Sequence, residues 1–519
     1  MRLFDFFDYH AREFGNVEYV IQGERKLTYA EAYKAVNQLA NAFIEAGLQV
    51  GDRIAMLSKN SIEYLILYYA AAKAGVVPVP LNFRLSPPEW VYIINDSGAK
   101  LIITSAAYVD SIAAIKSELT TVTQYVSIDA EEKEGWVNYR NWVVRQPATP
   151  PKIAIDDTGD VYQMYTSGTT GHPKGAVLSN HAVTSNLMQI AAFLECGRGE
   201  RFLIVAPLYH AAAVVGSLVC TYKGGTIYLQ EDFNPVEVVR AISEEKIIHA
   251  TLVPAMIQAC LVYVPNIAQK KFDSLRYVAY GASPIAENTL KTAIEVFKCD
   301  FVQVYGMTET TVAITSLLAE PHKRALSDKP GLLLSAGRAL PGTEIRIVDE
   351  DDNDVATGVT GEIIARGPQL MKGYWNKAEA SAEALRGGWM HTGDAGYLDE
   401  DGFLYVQDRV KDMIISGGEN IYPRAIEDVL YQHPSVADAA VIGVPSEKWG
   451  ETVKAIVVLR KDKTATAEEI MEFCQSRLGK FECPTSVDFI AMLPRNPSGK
   501  VLKRELREPY WAGRKRRVS

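Results

Sequence analysis

The stretch that most constrains this chain is the loop of residues 165–175, which reads YTSGTTGHPKG. It contains three glycines, four serine or threonine hydroxyls and one lysine, so it offers nothing to a hydrophobic core. Glycine lets backbone N–H groups approach an anion closely, hydroxyls add hydrogen-bond donors, and Lys174 adds a positive charge. These residue types predict a loop that holds phosphate groups rather than a flexible linker.

The loop differs from the common P-loop, in which Gly-Lys is followed directly by Ser or Thr at the start of a helix. Here Lys174 is followed by Gly175 and then by the apolar residues 176–178. The sequence therefore disfavours kinases and GTPases of the P-loop class.

Length and composition limit the class of protein. A chain of 519 residues exceeds one ordinary domain, so two or three domains are expected. The apolar content of 48% and charged content of 23% are typical of a soluble globular protein. The net charge of −9 argues against nucleic acid as a main partner. The chain has no apolar run of about 18 residues, which predicts that no segment spans a membrane.

Six scattered cysteines without a CxxC pair predict reduced thiols in a cytoplasmic protein. The N-terminal residues carry acids early and lack the apolar core of a signal peptide, which supports the same prediction. The last residues include a short basic tail at 514–517. We interpret it as a solvated terminus, with weak peripheral contact to anionic lipid as the alternative.

Helices and strands alternate through residues 1–155 and 156–320, which predicts α/β subdomains with parallel sheets. The first region carries a capping box at Thr28 and Glu31 and is predicted to be scaffold. Residues 321–409 are richer in short strands and turns and are predicted to form a β-rich subdomain.

The pattern changes near residues 410–412, where we predict a hinge. We expect residues 1–409 to form a large N-terminal domain and residues 413–519 to form a small, mobile α+β C-terminal lid. The lid contains two strands and a helix that opens with a second capping box, Thr466 and Glu469.

Four strands of the central region each end in a turn of polar or small residues. They are predicted at 161–165, 202–206, 276–280 and 301–304. Ligands of open α/β sheets bind beyond the carboxyl ends of the strands, so we expect these turns to line one crevice.

Six motifs occur in order across nearly the whole chain: YTSGTTGHPKG at 165–175, LYHAAA at 208–213, YGMTE at 305–309, TGD at 392–394, DRVKDMIISGGENIYP at 408–423 and NPSGK at 496–500. Together they resemble the signature of the adenylate-forming, or AMP-binding, superfamily. The GGEN-x-YP and NPSGK versions are most similar to acyl-CoA synthetases of the fatty-acid and aryl-acid type.

This resemblance implies a ligase that consumes ATP and CoA with the help of Mg²⁺. A carboxylate would first attack ATP to give an acyl-adenylate and diphosphate, and CoA would then take the acyl group and release AMP. Both anions must be held in line and their charge neutralised.

The resemblance assigns roles to residues distributed over the whole chain. Catalytic roles fall to Lys500, Lys174, His210 and Glu309, and Mg²⁺ binding to Thr166 and Glu309. The residues that the resemblance assigns to the nucleotide are Thr166, Ser167, Gly168, Thr169, Thr170, Gly171, Lys174, Gly281, Ala282, Ser283, Tyr305, Gly306, Met307, Thr308, Asp394, Arg409 and Lys500.

The resemblance also implies sites for the acyl group and for CoA, and a hinge. The acyl group would meet His210, Ala211, Ala212 and Gly216; CoA would meet Gly417, Gly418 and Glu419; and the hinge residue would be Lys411. Because the segment after His210 contains no Arg or Lys, we expect an apolar monocarboxylic acid, whether fatty, cyclic or aryl.

Two positions depart from the pattern of many relatives. Val304 stands where glycine is common, and residues 481–484 lack a lysine that relatives often carry. Two alternatives remain open: an enzyme that passes the acyl group to a carrier protein or another acceptor, and a non-catalytic nucleotide-binding relative. The sequence is also compatible with a homodimer, because no feature of it specifies the oligomeric state.

Overall fold

The computed structural model describes residues 1–128, 133–166, 172–283, 285–417, 419–479, 481–495 and 501–512, without the side chains of Lys411 and Asn420. The chain divides into two compact units. The first consists of Met1–Pro284, Thr289–Glu344 and Ala365–Met390, and the second of Ile285–Asn288, Ile345–Ile364 and His391–Ser519. The domain boundaries and the hinge proposed from the sequence remain predictions.

The helices are, in chain order, α1 (Asp5–Glu13), α2 (Tyr29–Glu45), α3 (Ile62–Ala74), α4 (Pro87–Ser97), α5 (Val109–Ile115), α6 (Tyr139–Val144), α7 (Asn180–Ala191), α8 (Ala211–Tyr222), α9 (Pro235–Glu244), α10 (Pro254–Tyr263), α11 (Glu287–Phe297), α12 (Ala319–Ala325), α13 (Ala378–Ala384), α14 (Pro423–Leu430), α15 (Ala467–Gln475) and α16 (Lys503–Trp511).

The strands are β1 (Glu18–Gln22), β2 (Arg25–Thr28), β3 (Arg53–Leu57), β4 (Val77–Pro80), β5 (Leu101–Ser105), β6 (Gln124–Ile128), β7 (Val137–Asn138), β8 (Asp160–Thr166), β9 (Lys174–Ser179), β10 (Arg201–Ile204), β11 (Thr226–Leu229), β12 (Ile247–Thr251), β13 (Tyr277–Gly281), β14 (Asp300–Tyr305), β15 (Thr315–Leu317), β16 (Arg338–Ala339), β17 (Glu344–Val348), β18 (Gly361–Arg366), β19 (Gly373–Tyr374), β20 (Met390–Leu398), β21 (Leu404–Arg409), β22 (Ile414–Ser416), β23 (Glu419–Ile421), β24 (Val436–Ser446), β25 (Gly450–Leu459) and β26 (Ser486–Phe489).

Two sheets with parallel strands form the centre of the first unit, which confirms the predicted α/β class. One has the strand order β4-β3-β5-β6-β7 and is parallel throughout. The other has nine strands in the order β16-β15-β14-β13-β12-β10-β11-β1-β2, parallel from β14 to β1 and antiparallel at both edges.

Local sequence signals explain where the first helices begin. The predicted capping box is present at the start of α2, where Thr28 and Glu31 exchange hydrogen bonds. The next helix, α3, begins after the N-cap Ser61 and is buried on nearly every face. A helix that is apolar all round belongs inside a large protein, so α3 forms part of the main core.

The strand that leads into the predicted phosphate loop does not belong to the parallel sheets. β8 pairs antiparallel with β9, and β9 pairs antiparallel with β19, in a separate three-stranded sheet. The loop therefore joins two strands of a hairpin, and the expectation that it follows a strand of a parallel sheet is wrong. The mostly apolar residues 161–165 predicted a strand, but they carried no information about the strand with which it pairs.

The second unit contains Ile345–Ile364 and the residues after Met390, so the segment predicted to be rich in strands, 321–409, is divided between the two units. β17, β18, β20 and β21 form one sheet, and β23-β22-β25-β24 form another, to which β26 adds beside β25. A buried cluster that includes Ile426, Leu430, Val441 and Val457 packs helices onto this last sheet. The second capping box is present at the start of α15, where Thr466 accepts from the backbone of Glu469.

Gly281 provides a test of how closely β13 and β14 approach. A methyl group on Gly281 would lie 2.2 Å from the carbonyl oxygen of Val304, whereas one on Gly331 would meet nothing within 4 Å. We expect Gly281→Ala to destabilise the protein by about 1–3 kcal/mol because the backbone must move apart. Urea denaturation should show this against Gly331→Ala as the control, and equal midpoints would contradict the packing.

Candidate functional site

The carboxylate of Glu309 is the centre of the candidate site. Glu309 follows β14 and is 4% exposed. Its Oε1 accepts a hydrogen bond of 3.0 Å from the Thr166 hydroxyl and one of 2.9 Å from the Tyr374 hydroxyl. A buried carboxylate is costly unless hydrogen bonds compensate it, and here two come from separate strands. The structure thus brings together Thr166 and Glu309, the two residues assigned to Mg²⁺ from the sequence.

Lys174 lies near the Glu309 carboxylate, next to one of its two hydrogen-bond donors, Tyr374. It is paired with Thr166 across the β8–β9 hairpin, and its Nζ lies 5.1 Å from the centre of the Tyr374 ring. The ring of Tyr374 therefore contacts the cation while its hydroxyl donates to Glu309. Sequence reasoning missed Tyr374, because its position beside Glu309 depends on β19 pairing with β9 rather than on any motif.

The turn that carries Glu309 is held in a strained conformation. Thr311 has φ of 64°, a value that β-branched residues rarely adopt. Its hydroxyl donates to the carbonyl of Gln369 at 2.8 Å, and the Thr310 hydroxyl accepts from the backbone N–H of Met307. A methyl group on Gly306 would lie 2.2 Å from the carbonyl oxygen of Val312. Such strain persists where surrounding contacts over-determine it, and it is common at functional sites.

Helix α4 fixes both flanks of the predicted phosphate loop. Before the loop, the Tyr165 hydroxyl donates to Asp96 at 2.7 Å. After it, the His172 ring stacks on Tyr92 with centroids 4.4 Å apart, and the Tyr92 hydroxyl donates to the carbonyl of Pro173. Tyr92 and Asp96 are one helical turn apart, so one face of α4 holds both flanks. The N-terminal region, predicted to be scaffold, therefore reaches the candidate site.

Gly175 is needed because the Tyr165 ring lies across it. A methyl group at Gly175 would lie 2.9 Å from Cζ of Tyr165 and 2.6 Å from Nε2 of Gln163. Burial, and then the Asp96 carboxylate, raise the pKa of Tyr165 above its ordinary value, so its hydroxyl remains a donor. The five loop residues between these flanks, Ser167, Gly168, Thr169, Thr170 and Gly171, lie outside the described residues.

The turn assigned to adenine follows β13 and lies beside β14. Gly281 is in register with Val304, so the turn 281–283 adjoins the residue that precedes Tyr305. Ala282 has φ of 66°, which turns the chain sharply after the strand. The backbone carbonyl of Val304 is thus the nearest group that a side chain at Gly281 would meet.

In the second unit, Asp394 and Arg409 form an ion pair between neighbouring strands β20 and β21. Arg409 Nε lies 2.6 Å from Asp394 Oδ1, and the two residues are directly opposite in the sheet. Glu362 holds the turn before Asp394, because it accepts from the Gly393 N–H at 3.1 Å and contacts His391 Nδ1 at 3.0 Å. Glu362 was not identified from the sequence, since it lies about thirty residues from the motif it supports.

His210 is the N-cap residue of α8, and its ring lies 4.3 Å from that of Tyr209. Between residues 211 and 221, Ala212 and Gly216 are half-buried, and the others are buried. These two are four residues apart and therefore share a face of the helix. Beyond Gly216 the nearest atoms to an added methyl group would be Oγ1 of Thr251 at 3.4 Å and Cδ1 of Ile204 at 3.5 Å.

Gly417 and Glu419, two of the residues assigned to CoA, lie where β22 and β23 are joined. Ser416 and Glu419 are paired across the two strands, and Gly417 has φ of 62°. A side chain at Gly417 would meet the Trp449 ring at 2.8 Å. Glu419 is exposed, and Gly418 lies outside the described residues.

Lys411 lies within a short 3₁₀ turn, Val410–Asp412, and its side chain is not described. Lys500 and the rest of its NPSGK motif fall outside the described ranges, as does the basic tail at 514–517. Across the described ranges, no cluster of three or more His, Cys, Asp or Glu side chains is arranged to hold a metal ion. None of the helices in these ranges has the length and apolar character needed to cross a membrane.

Comparison with known proteins matches two family models. The model described as AMP-binding enzyme matches residues 7–375, and the model described as AMP-binding enzyme C-terminal domain matches residues 425–500. The first model covers the motifs at 165–175, 208–213 and 305–309, and the second covers the motif at 496–500.

Similar proteins cover nearly the whole chain. The long-chain-fatty-acid–CoA ligase FadD13 of Mycobacterium tuberculosis is 37% identical over 490 residues, 94% of this chain and 94% of that protein. The fatty acid–[acyl-carrier-protein] ligase ScoC of Streptomyces coeruleorubidus is 35% identical over 98% of this chain and 97% of that protein. The o-succinylbenzoate CoA synthetase of Bacillus subtilis, solved with an acyl-adenylate, has a TM-score of 0.85 at 30% identity, with 97% of each chain covered.

The contact between Tyr165 and Asp96 can be tested by removing one oxygen atom. Tyr165→Phe keeps the ring over Gly175 but loses the hydrogen bond to Asp96 and the one of 3.1 Å that the hydroxyl accepts from Gln163 Nε2. We therefore expect the start of the loop to be held less firmly before it meets a ligand. We expect the Kd for a non-hydrolysable ATP analogue to rise about three- to tenfold, since such a bond contributes about 1 kcal/mol. Isothermal titration calorimetry measures this.

Tyr263→Phe is the matched control, because Tyr263 is 70% exposed on α10. An unchanged Kd in Tyr165→Phe would show that α4 does not order the loop for nucleotide binding.

Proposed function

This chain belongs to the AMP-binding enzyme family and is an AMP-forming acyl-CoA synthetase, and on that premise we propose that its acid substrate is an apolar monocarboxylate. The reaction has two halves: formation of an acyl-adenylate from the acid and ATP, and transfer of the acyl group to CoA. The observation that carries the assignment of residues is the buried Glu309 carboxylate with Thr166 and Lys174 around it.

The first requirement is to hold and neutralise the phosphates of ATP. We assign this to the loop 166–175, whose N–H groups and hydroxyls donate and whose Lys174 supplies a positive charge. The hairpin geometry supports the assignment, because Thr166 and Lys174 face each other where the loop leaves the strands.

Magnesium fits the oxygen donors at the end of this hairpin. Mg²⁺ prefers oxygen ligands and retains waters beside one or two protein groups. The Glu309 carboxylate and the Thr166 hydroxyl are such a set, and Glu309 is a buried acid whose charge a cation would balance. When bound, Mg²⁺ would neutralise phosphate charge, while Glu309 and Thr166 would orient it.

The nucleoside has its own candidate contacts. Tyr305 would stack on adenine, with the turn 281–283 against the base, and Asp394 would accept from the ribose hydroxyls. The Arg409 guanidinium orients Asp394 through an ion pair of 2.6 Å, which supports this role.

We propose that the acyl group lies along helix α8. His210 at the N-terminus of α8 would position the carboxylate; proton transfer is not needed, because a carboxylic acid with a pKa of about 4–5 is ionised at pH 7. Ala212 and Gly216 are small, uncharged and half-buried on one face of the helix, which supports an apolar substrate.

Lys500 is proposed to supply charge where the carboxylate attacks the α-phosphate. Negative charge collects there in the transition state, so an ammonium group is worth more then than in the ground state. For the second half-reaction we propose that the lid turns at Lys411 and that Gly417, Gly418 and Glu419 serve the pantetheine arm of CoA.

We retain the predictions of a cytoplasmic enzyme and of a solvated basic tail, with weak peripheral lipid contact as the alternative for that tail. All six cysteines are free thiols, which supports the first of these. A homodimer also remains a prediction.

A panel of acids tests the substrate class. Straight-chain, cyclic and aryl monocarboxylates, with dicarboxylates as controls, are offered with ATP and Mg²⁺ while AMP release is followed with CoA and with a holo acyl carrier protein. We expect apolar acids and CoA to support turnover.

Gly216→Val should lower kcat/KM for the bulkiest accepted acid at least tenfold, an effect of about 1.4 kcal/mol, and spare the smallest.

Val262→Ala serves as the matched control, because Val262 is 64% exposed on α10. Turnover with the acyl carrier protein but not with CoA would indicate that the acceptor is a carrier protein, as in the reaction named for ScoC. Preference for dicarboxylates would overturn the proposed substrate class.

Lys500→Ala separates the two half-reactions. We expect acyl-AMP formation to fall by about two orders of magnitude or more, since the variant loses charge stabilisation made in the transition state. Thioester formation from supplied acyl-AMP and CoA should stay largely intact. Stopped-flow or rapid-quench assays of each half measure this, and equal losses in both would contradict the alternation of the lid.

A further inference from the structure

Lys503 is held by two buried carboxylates in the second unit. Its Nζ lies 2.9 Å from Oε1 of Glu427 on α14 and 3.3 Å from Oδ2 of Asp408 at the end of β21. The three side chains are 9–16% exposed, so the pairs are shielded from solvent. The catalytic roles assigned from the sequence do not include any of the three.

The same network crosses the predicted hinge at 410–412. Asp408 precedes those residues, and its carboxylate also accepts from the Arg424 N–H at 3.1 Å and from the Arg409 N–H at 2.7 Å. A second ion pair joins Asp412 to Arg507 at 2.7 Å, one helical turn beyond Lys503 on α16. Helix α16 is therefore held by ion pairs to Asp408, before the predicted hinge, and to Asp412, the last residue of that hinge.

The chain enters α16 directly from the segment that contains Lys500. Lys503 is the first residue of α16 and follows Lys500 by three positions. The described residues on either side of that segment are paired: Arg495 bridges to Val501, and the Leu502 N–H donates to the carbonyl of Pro494 at 2.8 Å. The described residues that flank the segment are thus held together immediately before Lys503 in the sequence.

The ion pairs keep Lys503 charged. Burial opposes the charged form, but the carboxylates of Asp408, Glu427 and Asp412 outweigh it and raise the pKa of Lys503 above its ordinary value. Removing the ammonium would leave two carboxylates buried together without their cation, so the network depends on this residue.

We propose that Lys503 is a positioning residue for acyl-AMP formation. Its ion pairs with Asp408 and Glu427 anchor the start of α16, three residues after Lys500 in the sequence, to the strand end that carries Arg409. Because Arg409 pairs with Asp394, the anchor couples the proposed ribose contact to the placement of the proposed catalytic lysine. Lys503 itself contacts neither substrate nor nucleotide in this scheme.

The inference rests on the proposed function, in which Lys500 serves only the first half-reaction. A displacement of about 1 Å in a catalytic group can cost a hundredfold in rate, so loosening the anchor should slow acyl-AMP formation. It should spare binding of the ATP phosphates, which are assigned to the first unit, and the thioester step, which does not use Lys500.

The test uses Lys503→Met, which keeps the length and apolar stem of the side chain. We expect kcat for acyl-AMP formation to fall tenfold or more, while the KM for ATP and the rate of thioester formation from supplied acyl-AMP change by less than about threefold. Lys503→Arg restores the charge and should recover most of the rate. Arg504→Met is the matched control, because Arg504 is the next residue of α16 and is exposed.

An equal loss in both half-reactions, or a loss that appears mainly in KM, would assign Lys503 a general structural role and overturn the proposal. So would an unchanged rate in Lys503→Met. Should Lys503→Met fail to fold, Asp408→Asn breaks the same ion pair while retaining an oxygen acceptor, and the same split between half-reactions is required of it. Wild-type protein that forms no acyl-AMP with any acid would instead refute the proposed function itself.

Discussion

The structure of the first unit depends on compensating one buried negative charge, that of Glu309. A carboxylate at this depth needs donors, and they come from Thr166 at the end of β8 and Tyr374 in β19. The backbone carbonyl of the same residue accepts from the Met371 N–H at 2.8 Å. One acid therefore fixes a hairpin end, a short strand and the turn after β14 relative to each other, and its remaining capacity suits a cation.

The strained backbone at Thr311 also helps to hold the buried Glu309 carboxylate in place. Thr311 occupies a backbone region that its branched side chain disfavours, and it is held there by the hydrogen bond to Gln369. A relaxed turn would place Glu309 elsewhere, so the surrounding packing stabilises a conformation the local sequence would not choose. Preorganisation of this kind lets a site meet charge without rearranging during the reaction.

Much of the fold and of the candidate site could be predicted from the sequence, because the signals that indicate them are local. The capping boxes at Thr28 and Thr466 set helix starts, and the six motifs identify the family and its reaction. What could not be predicted depends on pairing between distant strands and helices. Tyr374, Asp96 and Glu362 reach their positions through such contacts, and no motif marks them. The antiparallel partner of β8 was missed because a short apolar run predicts a strand without indicating the orientation of its neighbour.

The six free cysteines have a consequence for an enzyme that handles a thiol and an activated acyl group. An acyl-adenylate reacts with thiolates wherever it meets them, and protein thiolates would become acylated or exchange with CoA disulfides. Burial raises the pKa of Cys196, Cys260 and Cys299 to about 12 and that of Cys474 to about 11. Cys220 and Cys483 are shifted in the same direction. These shifts favour the protonated thiols at neutral pH, so the cysteines of the chain offer little thiolate to compete with CoA for the activated acyl group.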